Sequence, residues 1–315
     1  MSTSPVIDFH THIFQAPFEP LANQRTYIND IRKRARLWVK PVTTSLHNLQ
    51  TLTRYLPKVA RMGLDQLSSL IPVAGLLIES TPEDLLEAMD EAGIDRAVVI
   101  AHPPNISNEF ILDVCSLEPR LIPIVNVSKG TAKPGQTFKK YLSRGAKALK
   151  IHTAADGEGI ESSRYKILLK VASEEGVPVI LHTGCFQSNL FYKKPNNGCP
   201  ELYKSWYETY PNTQFILAHM NMHDPEAALD VCEEFGNVFV DTSWQPTEVI
   251  GEAVRRLGAD RVLFGTDWPL VGGNLAIGRR RIDDCIAMGL LNDDQAQLIL
   301  GKNAAKLLGI SKNAD

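Results

Sequence analysis

The chain has 315 residues, 44% of them hydrophobic, with 33 basic and 36 acidic side chains and a net charge of −3. That is enough apolar material for one large core, and nothing in so even a global balance points to nucleic acid as a partner. Five cysteines (Cys115, Cys185, Cys199, Cys232 and Cys285) with no Cys-x-x-Cys pair exclude a zinc ribbon and a disulfide framework, and read as free thiols in a reducing compartment.

The first strand pattern is Val6–Phe9, which leaves no room for a signal peptide ahead of it. The longest apolar run, from Ile71 to Ile78, is too short for a transmembrane segment. A cytoplasmic location is therefore expected. Residues 16–80 then interrupt the pattern. They are locally basic, and Leu46, Leu49, Leu52 and Leu56 recur at near-helical spacing. A structureless loop of that length is rare in a compact domain, so a helical insertion after strand 1 is expected. It would be either a solvated hairpin or a lid on which Arg32, Arg34 and Arg36 recruit a carboxylate or phosphate. A basic amphipathic stretch ahead of an apolar patch also fits a membrane surface, though less well. Its leucines offer a surface for a homodimer.

Beyond the insertion, β-rich runs alternate with amphipathic segments. Strands are expected at Ala97–Ala101, Leu121–Val127, Ala146–Ile151, Pro178–His182, Gln214–His219, Val238–Asp241 and Val262–Phe264. Helices are expected at Pro82–Ala92, Glu109–Leu117, Gly135–Ser143, Ser163–Glu175, Pro225–Phe235 and Thr247–Leu257. Thr81-Pro82 and Asp224-Pro225 read as N-caps followed by proline, and Gly93, Gly176, Gly236 and Gly258 read as helix ends. Eight strands alternating with helices fit a single α/β domain over residues 1–315, a parallel (β/α)8 barrel.

The placement of polar residues favours the barrel over an open sheet. In Asp8-Phe9-His10-Thr11-His12, residues two apart share a strand face, so His10 and His12 can chelate one ion. Alone, that motif is weak. But each later strand also ends in polar residues: Lys150 and His152, His182-Thr183, His219, Asp241-Thr242-Ser243, and Thr266-Asp267. Barrel enzymes put their chemistry at strand C-termini. One polar site at the rim explains all of these residues together.

Asp8-Phe9-His10-Thr11-His12, Leu181-His182-Thr183-Gly184, Phe264-Gly265-Thr266-Asp267-Trp268-Pro269 and Gly301-Lys302-Asn303-Ala304-Ala305 resemble the amidohydrolase superfamily, and within it the amidohydrolase-2 group of hydrolases and aminocarboxymuconate-semialdehyde-type decarboxylases. The resemblance covers nearly the whole chain apart from the insertion. It implies a distorted TIM barrel and one divalent ion, Zn2+ or another such as Mn2+, held by His10, His12, His182 and Asp267. Three imidazoles and a carboxylate suit Zn2+ with a place left for water. Asp267 would also accept the water's proton, and His219 would be a second acid/base group. Some superfamily members carboxylate a lysine at the end of strand 4 to bridge two metals. Lys150 and His152 are read here as substrate-side groups instead.

His102 is either a pocket residue or a loop histidine. Trp244 and Trp268 would wall the site. His47 and His223 are not expected to be ligands, and Cys185 has no base placed to make it a nucleophile.

The expected function is hydrolysis of an amide, lactone or ester of a small, carboxylate-bearing substrate by metal-activated water. The alternative is non-oxidative decarboxylation of an aromatic or muconate-type acid. The resembling decarboxylases carry glycines after the strand-6 histidine where this chain has Met220-Asn221-Met222, which tilts the reading toward hydrolysis. A non-catalytic ligand-binding barrel is disfavoured because all four ligand positions are filled.

Overall fold

The apolar runs are short and rich in β-branched residues, which suit a pleated, packed surface better than a helix. In the computed structural model, which describes residues 4–15, 34, 56–57, 59–60, 80–184, 194–270 and 274–310, each of the eight runs is a strand. They are β1 (Ile7–Thr11), β2 (Arg96–Ile100), β3 (Leu121–Val125), β4 (Ala148–Ile151), β5 (Val179–His182), β6 (Phe215–Ala218), β7 (Val238–Asp241) and β8 (Val262–Leu263). All pair in parallel and in sequence order. The ring closes where Phe9 N donates to Phe264 O and His12 N to Trp268 O, both at 2.7 Å. The expected barrel is the observed one.

One main helix follows each strand: α1 (Pro82–Ala92), α2 (Asn108–Leu117), α3 (Pro134–Ser143), α4 (Ser163–Glu175), α5 (Lys204–Thr209), α6 (Pro225–Glu234), α7 (Thr247–Leu257) and α8 (Asn274–Ala287). Thr81 caps α1 in a reciprocal capping box with Asp84. Asp224 precedes Pro225 as expected, but its side chain makes no capping bond. Gly93 and Gly176 end α1 and α4 in the left-handed conformation. At the end of α6, Phe235 rather than Gly236 is the cap residue. Helices α5 and α8 and the helical turns at Asp293–Leu307 are additions to the sequence reading.

The insertion expected at residues 16–80 lies almost wholly outside the described residues, as do Arg32, Arg36, His47 and Cys185. Arg34 is helical and exposed. The four described cysteines are free. Among the described residues, no helix is long and apolar enough to cross a membrane.

Strand alternation sorts the core into two layers. Val98, Ile100, Ile124, Ala148, Ile180, Ile216 and Leu263 fill the barrel lumen, where Ala304 and Leu308 from the C-terminal end join them. The residues between them, such as Val99, Leu149, Val179, Leu181, Leu217 and Val240, pack outward with the helices; Leu85 and Met89 of α1 belong to that outer layer. This alternation also decides which polar side chains share the site.

Candidate metal centre

Two residues beyond Ala148, Ile180 and Phe239 on the lumen face come Lys150, His182 and Asp241. At the strand C-termini the lumen thus changes from apolar to polar. In β1 simple alternation fails, because the register shifts between Asp8 and Thr11. Phe9 belongs to the lumen layer, yet His10, the next residue, also meets lumen groups: its Nδ1 lies 2.8 Å from Asp241 Oδ2. An irregularity of this kind re-aims a side chain. The His10 and His12 rings end 5.4 Å apart, on one side as the sequence implied.

Both histidines have Nδ1 engaged and Nε2 turned toward one carboxylate oxygen. His12 Nδ1 donates to Ile100 O at 2.9 Å. His12 Nε2 lies 3.3 Å, and His10 Nε2 3.6 Å, from Asp267 Oδ1. The other oxygen, Asp267 Oδ2, accepts the Trp244 indole N–H at 2.6 Å. His10 Nε2 and Asp267 Oδ1 are buried without a hydrogen bond. Burial, reinforced by Lys150, lowers the pKa of His10 and keeps its imidazole neutral. Asp267 remains a carboxylate: burial opposes its ionisation, but contacts with His12, His10 and Trp244 outweigh burial and hold its pKa low.

Two imidazole Nε2 atoms therefore converge on one carboxylate oxygen, and neither His10 Nε2 nor that oxygen has a hydrogen bond, an arrangement that calls for a cation. Two ligands of one tetrahedral Zn2+ lie about 3.4 Å apart for bonds of about 2.1 Å, close to the observed separations. The chemistry and spacing of these donors fit a divalent ion. His10, His219 and Asp267 also present ligand atoms within 4.8 Å of one another. His219, read from sequence as an acid/base group, thus also stands at the centre, 3.9 Å from Asp267 Oδ2. His182 is on the same cavity wall, its ring stacked on His152 at 3.7 Å and edge-on to His219 at 5.0 Å.

The cavity has a volume of about 50 Å³, and His12, His102, Asn126, Lys150, His152, His182, His219, Asp267 and Leu270 are among its lining residues. Lys150 Nζ is buried there without a hydrogen bond. Burial lowers its pKa to about 8 despite the nearby charges of Asp241 and Asp267, so at neutral pH it remains a cation. His102 is a pocket residue rather than a surface one, and burial lowers its pKa to about 4. Trp244 stands behind Asp267. Trp268 is fully buried within the outer core layer and does not line this cavity. His223 is half-buried beyond the end of β6 and also outside it.

The segment after β6 explains how His219 reaches the centre. His219, Met220, Asn221 and Met222 all have positive φ, between 45° and 62°. Four such residues in a row, none of them glycine, are costly. They are held by Gln245, whose side-chain amide donates to His219 O at 2.7 Å and Met222 O at 2.9 Å. Thr183 Oγ1 also accepts Asn221 N–H at 3.1 Å. Gly184 packs against this turn so closely that a Cβ there would lie 2.6 Å from Asn221 C. The methionine-bearing segment therefore takes positive φ values that glycines adopt easily.

Sequence reasoning noted Asp241 and Ser243 only as rim residues, and missed Asn126 and the role of Asp8. Asp8 Oδ1 accepts the backbone N–H of His10 at 3.0 Å and of Thr266 at 3.1 Å, and Oδ2 accepts the Thr266 hydroxyl at 2.6 Å. It ties the His-x-His segment to the segment after β8 that carries Asp267.

The family model described as Amidohydrolase matches residues 7–310. No curated protein matches the chain in sequence. Among solved structures, an uncharacterized TIM-barrel protein from Bordetella bronchiseptica is similar at 19% identity, covering 97% of this chain and 99% of that one, with a TM-score of 0.66. A 5-carboxyvanillate decarboxylase from Novosphingobium aromaticivorans, complexed with manganese and 4-hydroxy-3-methoxy-5-nitrobenzoic acid, is similar at 14% identity, 97% and 96% coverage and a TM-score of 0.62. A candidate 2-pyrone-4,6-dicarboxylic acid hydrolase from Pseudomonas putida is similar at 15% identity, 99% coverage of both chains and a TM-score of 0.62. At these identities the likeness is one of fold.

Proposed function

The chain belongs to the amidohydrolase family, and from that premise we propose that it is a metal-dependent hydrolase acting on an amide, lactone or ester of a small, carboxylate-bearing substrate. The observation that carries this reading is the convergence of His10 Nε2, His12 Nε2 and Asp267 Oδ1, of which His10 Nε2 and Asp267 Oδ1 are buried without a hydrogen bond. His10, His12, His182 and Asp267 would hold one ion, Zn2+ first and Mn2+ as the alternative. Such an ion supplies charge that polarises an acyl oxygen and makes water acidic enough to react at neutral pH.

The chain's own groups supply the rest. Asp267 is fixed through Oδ2 by Trp244, which leaves Oδ1 facing the histidines as the proton acceptor. His219, beside it, is placed to carry a proton toward the leaving group. Lys150, buried and cationic in the cavity, is suited to a substrate carboxylate. His102 and His152 line the same wall, with Trp244 behind Asp267, and the insertion's arginines, including exposed Arg34, would add positive charge outside it. The nitrobenzoate carried by the Novosphingobium neighbour is likewise a small anion.

A second reading, non-oxidative decarboxylation of an aromatic or muconate-type acid on the same site, is favoured by the left-handed turn after β6, which removes the sequence-based argument against it. The metal-loaded protein incubated with a panel of lactones, esters and aromatic acids separates the two. The hydrolase reading expects acid release or ring opening. Carbon dioxide evolved with the ring intact would replace it by the second reading. Stoichiometric binding with no turnover across the panel would favour a non-catalytic barrel.

A further inference from the structure

We propose that Asp241 and Ser243 act as positioning residues that set the tautomers of two site histidines, so that His10 turns an unprotonated Nε2 toward Asp267 and His219 keeps its proton on the Nδ1 beside Ser243. The argument is a count of protons along one chain of buried contacts. Asp241 Oδ1 accepts the backbone N–H of His219 and of Ser243, each at 3.0 Å, and the Ser243 hydroxyl as well. Its Oδ2 lies 2.8 Å from His10 Nδ1. A carboxylate surrounded by donors has no proton to offer, so His10 must carry its own proton on Nδ1.

The Ser243 hydroxyl has one proton, and it is committed to Asp241. Turning it away would set two oxygen acceptors against each other at hydrogen-bond distance. Ser243 Oγ can then only accept from His219 Nδ1, 2.8 Å away. His219 also carries its proton on Nδ1. Each ring is left with a lone pair on Nε2, which in His10 lies 3.6 Å from Asp267 Oδ1. His12 reaches the same tautomer by its bond to the Ile100 carbonyl, which cannot donate. One buried carboxylate and one hydroxyl thus fix two rings, one from β1 and one from the turn after β6. The tautomers do not depend on which reaction the site performs; their consequence for metal affinity rests on the metal centre proposed above.

The test is long-range 1H–15N correlation spectroscopy of metal-free protein with 15N-labelled histidine, paired with Zn2+ titration against a chromophoric chelator. In the unmutated protein, His10 and His219 are expected as Nδ1–H tautomers. In Asp241→Asn, the two backbone N–H groups at Oδ1 require the amide carbonyl at that position and so turn the NH2 toward His10 Nδ1. His10 should switch to the Nε2–H tautomer while His219 keeps its own, and Zn2+ affinity should fall at least tenfold. Ser243→Ala should do the reverse, leaving His10 unchanged and making His219 a tautomer mixture.

The proposal is overturned by an Nε2–H tautomer at either ring in the unmutated protein, a measurement that needs no variant to fold. It is equally overturned by an Asp241→Asn protein with unchanged His10 tautomer and unchanged Zn2+ affinity. Expected tautomers in a protein that binds no Zn2+ would support this proposal while removing the metal centre.

Discussion

Burial in an apolar lumen lowers the pKa of His10, His152, His182 and His219, and the neutral imidazole is the form that binds metal. Asp267 stays ionised beside them. Replacing it by Asn keeps the shape and removes the proton acceptor, so kcat in Asp267→Asn should fall by a factor of about 100 or more, the range for loss of an acid/base group; steady-state kinetics on the metal-loaded variant checks this. Lys150→Met keeps the apolar stem and removes the charge. KM for a carboxylate-bearing substrate should rise at least about tenfold, as expected for a lost charged hydrogen bond, with little change for its neutral ester. Equal changes for acid and ester would place Lys150 in the structure rather than against the carboxylate. The ligand candidates were legible because each follows an apolar run on the lumen face. The roles of Asp241 and Asp8 were not, because their partners His10 and Thr266 stand 231 and 258 residues away in the chain and no spacing rule reaches that far.

At the scale of elements, the left-handed turn from His219 to Met222 is the costly piece of the fold. Gln245 holds two of its carbonyls, and Arg281 in turn donates to Gln245 O at 2.6 Å. Removing the amide in Gln245→Ala leaves Met222 O without this bond, a cost of about 1–3 kcal/mol, while His219 O keeps the Met222 N–H; thermal or denaturant unfolding should show the loss. Gly184→Ala should also destabilise, through both its positive φ and the contact with Asn221; stability within about 0.5 kcal/mol of the parent, the range of neutral surface changes, would mean the turn is not packed as described. The strands and six of the helices were legible from periodicity. This turn was not, since Met-Asn-Met gives no sign of positive φ. Helix α8 was obscured by Arg279-Arg280-Arg281, although Leu275, Ile282 and Cys285, all buried, stand at helical spacing; the buried Arg281 breaks the apolar stripe that would have marked it.

The whole molecule brings the two ends of the sequence together. Asp267 N–H donates to His10 O at 2.7 Å and Asp8 binds Thr266, so β1 and the segment after β8 are locked where the centre lies. An ion held by groups from β1, β5 and the segment after β8 would crosslink the barrel across its closure. Metal that binds only the folded chain stabilises it by about 4 kcal/mol at a thousandfold excess over Kd. Stripping the ion with chelator should therefore lower Tm by several degrees, and restoring Zn2+ or Mn2+ should recover it. The central claim is that one divalent ion belongs to this constellation, and elemental analysis of the purified protein after reconstitution and desalting tests it most directly. About one zinc or manganese ion per chain in the unmutated protein, lost in both His10→Ala and Asp267→Ala, is the expected result; an unmutated protein that retains none, or variants that retain as much, would contradict it.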